Sequence, residues 1–146
     1  VEFNNLINGK WKIIYKLHPG EYANWKKRYP WLVNSGIEVV DSLRHNIYEY
    51  FAVSNVQVGV SSTAIFEGLG FGLDTFIFNT VSAECMKQLC QDGFAAEVNS
   101  AKELADKLEK NIKSKKNKDK LFWKENAFNN LCVEINKCID STTACS

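Results

Sequence analysis

No apolar run in this chain approaches the ~20 residues a helix needs to cross a bilayer, and no secretory leader pattern is present. A membrane-spanning protein is therefore not expected, and the cytoplasm is the expected compartment. Charge of one sign is missing too: 18 Lys and Arg stand against 17 Asp and Glu, for a formal net charge of +1. Without a basic field, general nucleic-acid binding is not expected, because phosphate contacts supply most of that affinity. The five cysteines (Cys85, Cys90, Cys132, Cys138, Cys145) form no C-x-x-C pair and are odd in number. Neither a zinc site nor a disulfide framework is expected, and all are read as free thiols.

What is present is ordinary for a soluble domain: 45% apolar and 24% charged residues over 146 positions, enough for one sizeable core. Val1 stands where a methionine would begin a complete chain, so an excised piece of a longer protein is expected.

Strand and helix patterns alternate. WKIIYKL (11–17) is a β run stopped by His18-Pro19-Gly20, and GIEVVD (36–41), NVQVGV (55–60) and DTFIFN (74–79) follow, with a short fifth strand at 94–98. Between them, residues 2–7, 21–29, 46–53, 62–71, 83–91 and 101–112 have helical spacing. Strands separated by helices of about ten residues predict an α/β, Rossmann-like, three-layer domain with a mainly parallel sheet over 1–112. A Lys-rich linker, KSKKNKDK, is expected at 113–120 and an amphipathic helix at 121–140, with Phe122, Phe128, Leu131 and Ile135 on one stripe; 141–146 reads as a tail.

In such folds the ligand sits beyond the carboxyl ends of the strands, and His18, Asp41 and Ser61 each fall at one. Ser61-Ser62-Thr63 closes the third strand and opens a helix. A helix N-terminus offers unpaired N–H groups and about half a positive charge, which suits phosphate, and adjacent hydroxyls add donors. The plainer reading makes one serine an N-cap.

Glu67 lies too far along for a capping box. Helical side chains lean back toward the N-terminus, so a carboxylate there can accept from ribose hydroxyls. Gly68, Gly70 and Gly72 read as close packing against the sheet or an early helix end. His18, after Lys16 and before Pro19, can donate to a phosphate oxygen or act as a general base. His45 has no such context and reads as structural.

Taken together, KLHP at 16–19 and VGVSSTAIFEG at 58–68, joined by VVDSLRHNIYEYFAVSNVQVGVSST and followed by FGLDTFIFN, resemble the C-terminal, nucleotide-sugar-binding half of GT-B glycosyltransferases. The nearest likeness is to bacterial capsule and lipopolysaccharide transferases, including sialyl-, polysialyl- and CDP-glycerol glycerophosphotransferases, over about residues 11–98. The resemblance implies that His18, Ser61, Ser62 and Thr63 hold donor phosphates and Glu67 the ribose. It implies a CMP-, CDP- or UDP-type donor as substrate, no cofactor and no metal, in keeping with the absence of an Asp-x-Asp pair. The catalytic base and acceptor site would belong to an N-terminal half, so this piece alone would transfer nothing. Surface-polysaccharide synthesis would put the full protein at the inner face of the membrane, and an exposed sheet edge would be open to pairing with a second copy. Two other readings stand beside it: a UDP-sugar 2-epimerase-like domain, and a non-catalytic nucleotide-binding or assembly module.

Overall fold

The computed structural model describes residues 1–110, 122 and 124–143. Among the described residues there are five strands: β1 (Ile14–Lys16), β2 (Glu38–Val40), β3 (Val56–Gly59), β4 (Asp74–Phe78) and β5 (Ala96–Val98). The α-helices are α1 (Glu2–Leu6), α2 (Trp25–Arg28), α3 (Ile47–Ala52), α4 (Thr63–Gly70), α5 (Lys87–Gln91), α6 (Ala101–Glu109) and α7 (Ala127–Thr143). Every strand pair is parallel, with helices between successive strands, and the fold is α/β and Rossmann-like.

The expected sheet is divided in two. β1 pairs with β2, while β3, β4 and β5 form a separate sheet in that order. β4 is the central strand of the larger sheet, and Thr75, Phe76 and Ile77 are at most 2% exposed. A parallel strand covered on both faces needs such a continuous apolar run. Alternate side chains point to opposite faces. Ile77 packs with Ile65 and Leu69 of α4 and Leu89 of α5, whereas Phe76 packs with Val98, Leu104 of α6 and Phe3 of α1. The larger sheet is thus the middle of three layers. α1 lies on α6, and Lys10 pairs with Glu109 at 2.8 Å.

The smaller sheet has its own core of Leu17, Trp25 and Leu32, flanked by Tyr22, Tyr29, Ile37 and Val39. β1 is shorter than the predicted 11–17 because its ladder runs only where β2 supplies a partner, from Ile14 opposite Glu38 to Lys16 opposite Val40. The predicted helix over 21–29 is a 3-10 turn, Pro19–Glu21, followed by α2. Pro19 fixes the first position of that turn and has no N–H to lose there. The predicted helix over 83–91 likewise opens as a 3-10 segment, Val81–Met86, before α5.

At the C-terminal end, the Phe122 ring packs against Phe94 (5.2 Å) and Phe66 (6.0 Å). α7 runs through Thr143, past the predicted helix end, and its stripe of Phe128, Leu131 and Ile135 is exposed rather than packed. The Lys-rich segment at 113–120 lies outside the described residues.

Candidate functional site at the strand ends

β3 ends at Gly59, where a Cβ would come within 3.0 Å of Ile65 Cδ1, so the turn into α4 is closely packed from beneath. Ser62, extended at φ −164° and ψ 144°, is the N-cap of α4, and its hydroxyl accepts from the Ala64 amide at 3.2 Å. Ser61, Ser62 and Thr63 are all exposed. The Ala64 and Ile65 amides are taken by Ser62 Oγ and Ser62 O, leaving the Thr63 N–H and three hydroxyls as the outward-facing donors of this turn.

His18 follows β1 at the corresponding strand end. Its Nδ1 accepts from the Gly20 amide at 3.2 Å, and its own amide donates to Glu21 Oε2 at 3.1 Å, which makes a capping box for the Pro19–Glu21 turn. With Nδ1 an acceptor, the neutral ring carries its proton on Nε2, so His18 presents a donor outward rather than a free base. Glu21 is held in turn by the Tyr29 hydroxyl, and this bond, with the His18 amide, keeps the Glu21 carboxyl below the ordinary glutamate range.

The Tyr48 hydroxyl of α3 donates to the Glu67 carboxylate, and that bond raises the Tyr48 phenol above its ordinary value. Tyr48 also stacks on Phe71 (5.8 Å, 11° between planes), and Phe51 packs against the same ring at 5.6 Å, tying α3 to α4. Asp41, the third residue at a strand end, accepts from Trp25 Nε1 at 2.7 Å and braces the small core. His45 lies beside Glu49 at 2.8 Å on the surface, as a structural residue.

The structure therefore puts His18 just past β1 and Ser61–Thr63 just past β3, at the carboxyl ends of strands in different sheets, while Glu67 accepts from Tyr48 and Asp41 from Trp25. Sequence reasoning missed Tyr48, although Tyr48 and Phe51 at i and i+3 on α3 could have flagged a face directed at α4. Among the described residues, no group of three or more His, Cys, Asp and Glu side chains is placed to hold a metal ion.

A separate cleft of about 560 Å³ opens between the two sheets, lined by Trp11, Lys12, Ile13 and Ile14 on one side and Asn55, Val56 and Val58 on the other, with Phe3 and Leu108 also contributing. It takes in Ile14 at the start of β1 and both Val56 and Val58 of β3.

Fold and strand-end turn together define an α/β, Rossmann-like domain with a serine-capped helix at the carboxyl edge of a parallel sheet. No protein-family model, curated protein or solved structure matches the chain. Among the described residues, no helix is long and apolar enough to cross a membrane.

Proposed function

We propose that this chain binds the phosphates of a nucleotide-sugar donor and is the donor-binding half of a metal-independent GT-B-like glycosyltransferase of bacterial surface-polysaccharide synthesis. The observation that carries the reading is the β3–α4 turn: the parallel strand β3 ends at Gly59, Ser62 caps α4, and the exposed hydroxyls of Ser61, Ser62 and Thr63 lie at the positive helix end. The outward N–H of His18 adds a donor at the end of β1. Thr63 N–H, the hydroxyls and His18 would offset phosphate charge, and Glu67 would accept from ribose alongside Tyr48. Acceptor binding, the catalytic base and attachment to the inner membrane face belong, in this reading, to a second half.

Calorimetry with CMP, CDP, UMP and UDP tests it. We expect a Kd on the order of 1 mM, about −4 kcal/mol, for at least one nucleotide, because an open single half leaves the ligand's other side in water. Ser61→Ala with Ser62→Ala should weaken every nucleotide, and Glu67→Ala should remove any preference for ribose over 2′,3′-dideoxyribose. Absence of binding for all four nucleotides would overturn the reading; equal ribose and dideoxyribose binding would remove Glu67 from it. A non-catalytic nucleotide-binding module is favoured instead by one observation: His18 Nδ1, Asp41 and Glu67 are all engaged by Gly20, Trp25 and Tyr48. Nucleotide binding without sugar transfer by the full-length protein would select it.

A further inference from the structure

The free edges of the two sheets show what the cleft between them accepts. Ile13 O accepts from the Glu38 amide at 3.0 Å and the Leu17 amide donates to Val40 O at 3.2 Å, so the odd-numbered residues of β1 face β2. A strand residue turns its N–H and C=O to the same side and its neighbours turn theirs to the other. Ile14 and Lys16 therefore present their backbone groups away from β2.

The same argument applies to β3. Asn55 O accepts from the Asp74 amide at 3.0 Å, which turns Asn55, Gln57 and Gly59 toward β4 and leaves Val56 and Val58 pointing the other way. No described residue pairs with either row. Ile14, Val56 and Val58 all line the same cleft. Apolar residues make up most of its wall, with Lys10, Lys12, Ser54 and Asn55 among them, and the wall is open to water: Val58 is 45% exposed, Trp11 36% and Val53 75%. Interior strands of parallel sheets are normally covered on both faces, and two unpaired rows beside exposed valine and tryptophan are an incomplete sheet.

We infer that this cleft is a docking slot for one extended peptide segment of a partner polypeptide, apolar on both faces and running parallel to β1 and β3, which would join the two sheets into a continuous six-stranded sheet. A second copy of this chain fits poorly. Each of its strands is already paired on at least one edge, whereas the occupant of a slot with a row on either side must be free on both. The inference rests on the backbone rows of β1 and β3 and not on the nucleotide reading, although the slot runs along both strands toward His18 and Ser61.

The test uses the ¹⁵N-labelled chain and the blocked heptapeptide acetyl-KVIVVTK-amide. In the free protein, the amides of Ile14, Lys16, Val56 and Val58 should exchange with deuterium faster than those of Tyr15, Leu17, Gln57 and Gly59. Saturating peptide should slow the first set by about tenfold or more while leaving the second unchanged. A peptide N-methylated at alternate residues, blocking the edge that meets one strand, should lose protection at that strand first and bind more weakly. Val58→Asp, in the wall of the slot, should abolish the effect with the far-ultraviolet circular dichroism intact. Equal protection of both sets in the free protein would overturn the inference, as would unchanged exchange at saturating peptide. Protection appearing without peptide, together with a dimer mass by light scattering, would replace the partner segment with a second copy.

Discussion

Adding a single methyl group at Gly68 tests how α4 sits on the sheet. A Cβ there would lie 2.1 Å from Gln57 Oε1, 2.5 Å from its Cδ and 2.8 Å from its Nε2, so the Gln57 amide has to move. That amide is not idle: its Nε2 donates to Ile65 O at 2.8 Å and to Thr75 Oγ1 at 2.9 Å, linking β3, α4 and β4. Gly68→Ala gains about 1 kcal/mol of helix propensity. Against this, it loses two hydrogen bonds worth about 1 kcal/mol each and adds overpacking of about 1 kcal/mol or more. The net is destabilisation by about 2 kcal/mol, or roughly 8 °C in Tm for a domain of this size. Urea unfolding followed by circular dichroism should show a lower midpoint with an unchanged slope. With Gln57→Ala in the background, the obstructing side chain is gone and Gly68→Ala should become stabilising by up to about 1 kcal/mol. If Gly68→Ala is neutral or stabilising in the wild-type background, Gln57 is not held where the argument needs it.

Three further outcomes follow from the hydrogen bonds around the site. Ser62→Ala removes the acceptor for the Ala64 amide and should cost about 1 kcal/mol in a thermal melt, whereas Ser62→Gly should cost only a few tenths. The Tyr48 phenol, raised by its bond to Glu67, should titrate above an ordinary tyrosine by ultraviolet difference spectroscopy, and Glu67→Ala should bring it back. Stability from that pair is complete below the ordinary tyrosine pKa and is lost as pH rises through the raised one. Glu21 has the opposite sign: its carboxyl is depressed by the Tyr29 hydroxyl and the His18 amide, so its contribution is present above the ordinary glutamate pKa and lost as pH falls through the lowered value. Glu21→Gln should flatten the fall in urea midpoint below about pH 4.5, and an unchanged acid slope would contradict the assignment.

The parts of the fold that were legible in the sequence are those whose signal is local. DTFIFN reads as a strand because Thr75 and the β-formers Phe76, Ile77 and Phe78 follow one another over strand length, and Thr75–Ile77 are buried in the structure. Ser62 as the cap of α4, and the close packing of Gly68 against the sheet, were readable for the same reason. Gly72, at φ +77°, ends the α4 turn in a conformation that side chains resist. Other features depend on partners distant in sequence. The length of β1 is set by β2, and the division into two sheets is a matter of which edges meet. The Tyr48 hydroxyl that donates to Glu67 comes from nineteen positions upstream on another helix, a pairing that helical geometry within α4 does not reveal. The capping box from His18 to Glu21 was missed for a different reason: it places histidine where serine or aspartate is the usual acceptor.

The division into two sheets also bears on how the chain acquires its structure. β1 and β2 close within residues 14–40 around Leu17, Trp25 and Leu32, while β3 to β5 close within 56–98 around a different set of side chains. Each ladder joins strands that are consecutive in the chain, so neither has to wait for a segment beyond its own crossover. The two parts meet through α1 on α6, where Phe3 packs against Phe76, Val98 and Leu104. Residues 41–46 between them are exposed throughout. A protease cut there would separate the two ladders, and the fragments would still share Phe3 of α1 packed against Phe76, Val98 and Leu104.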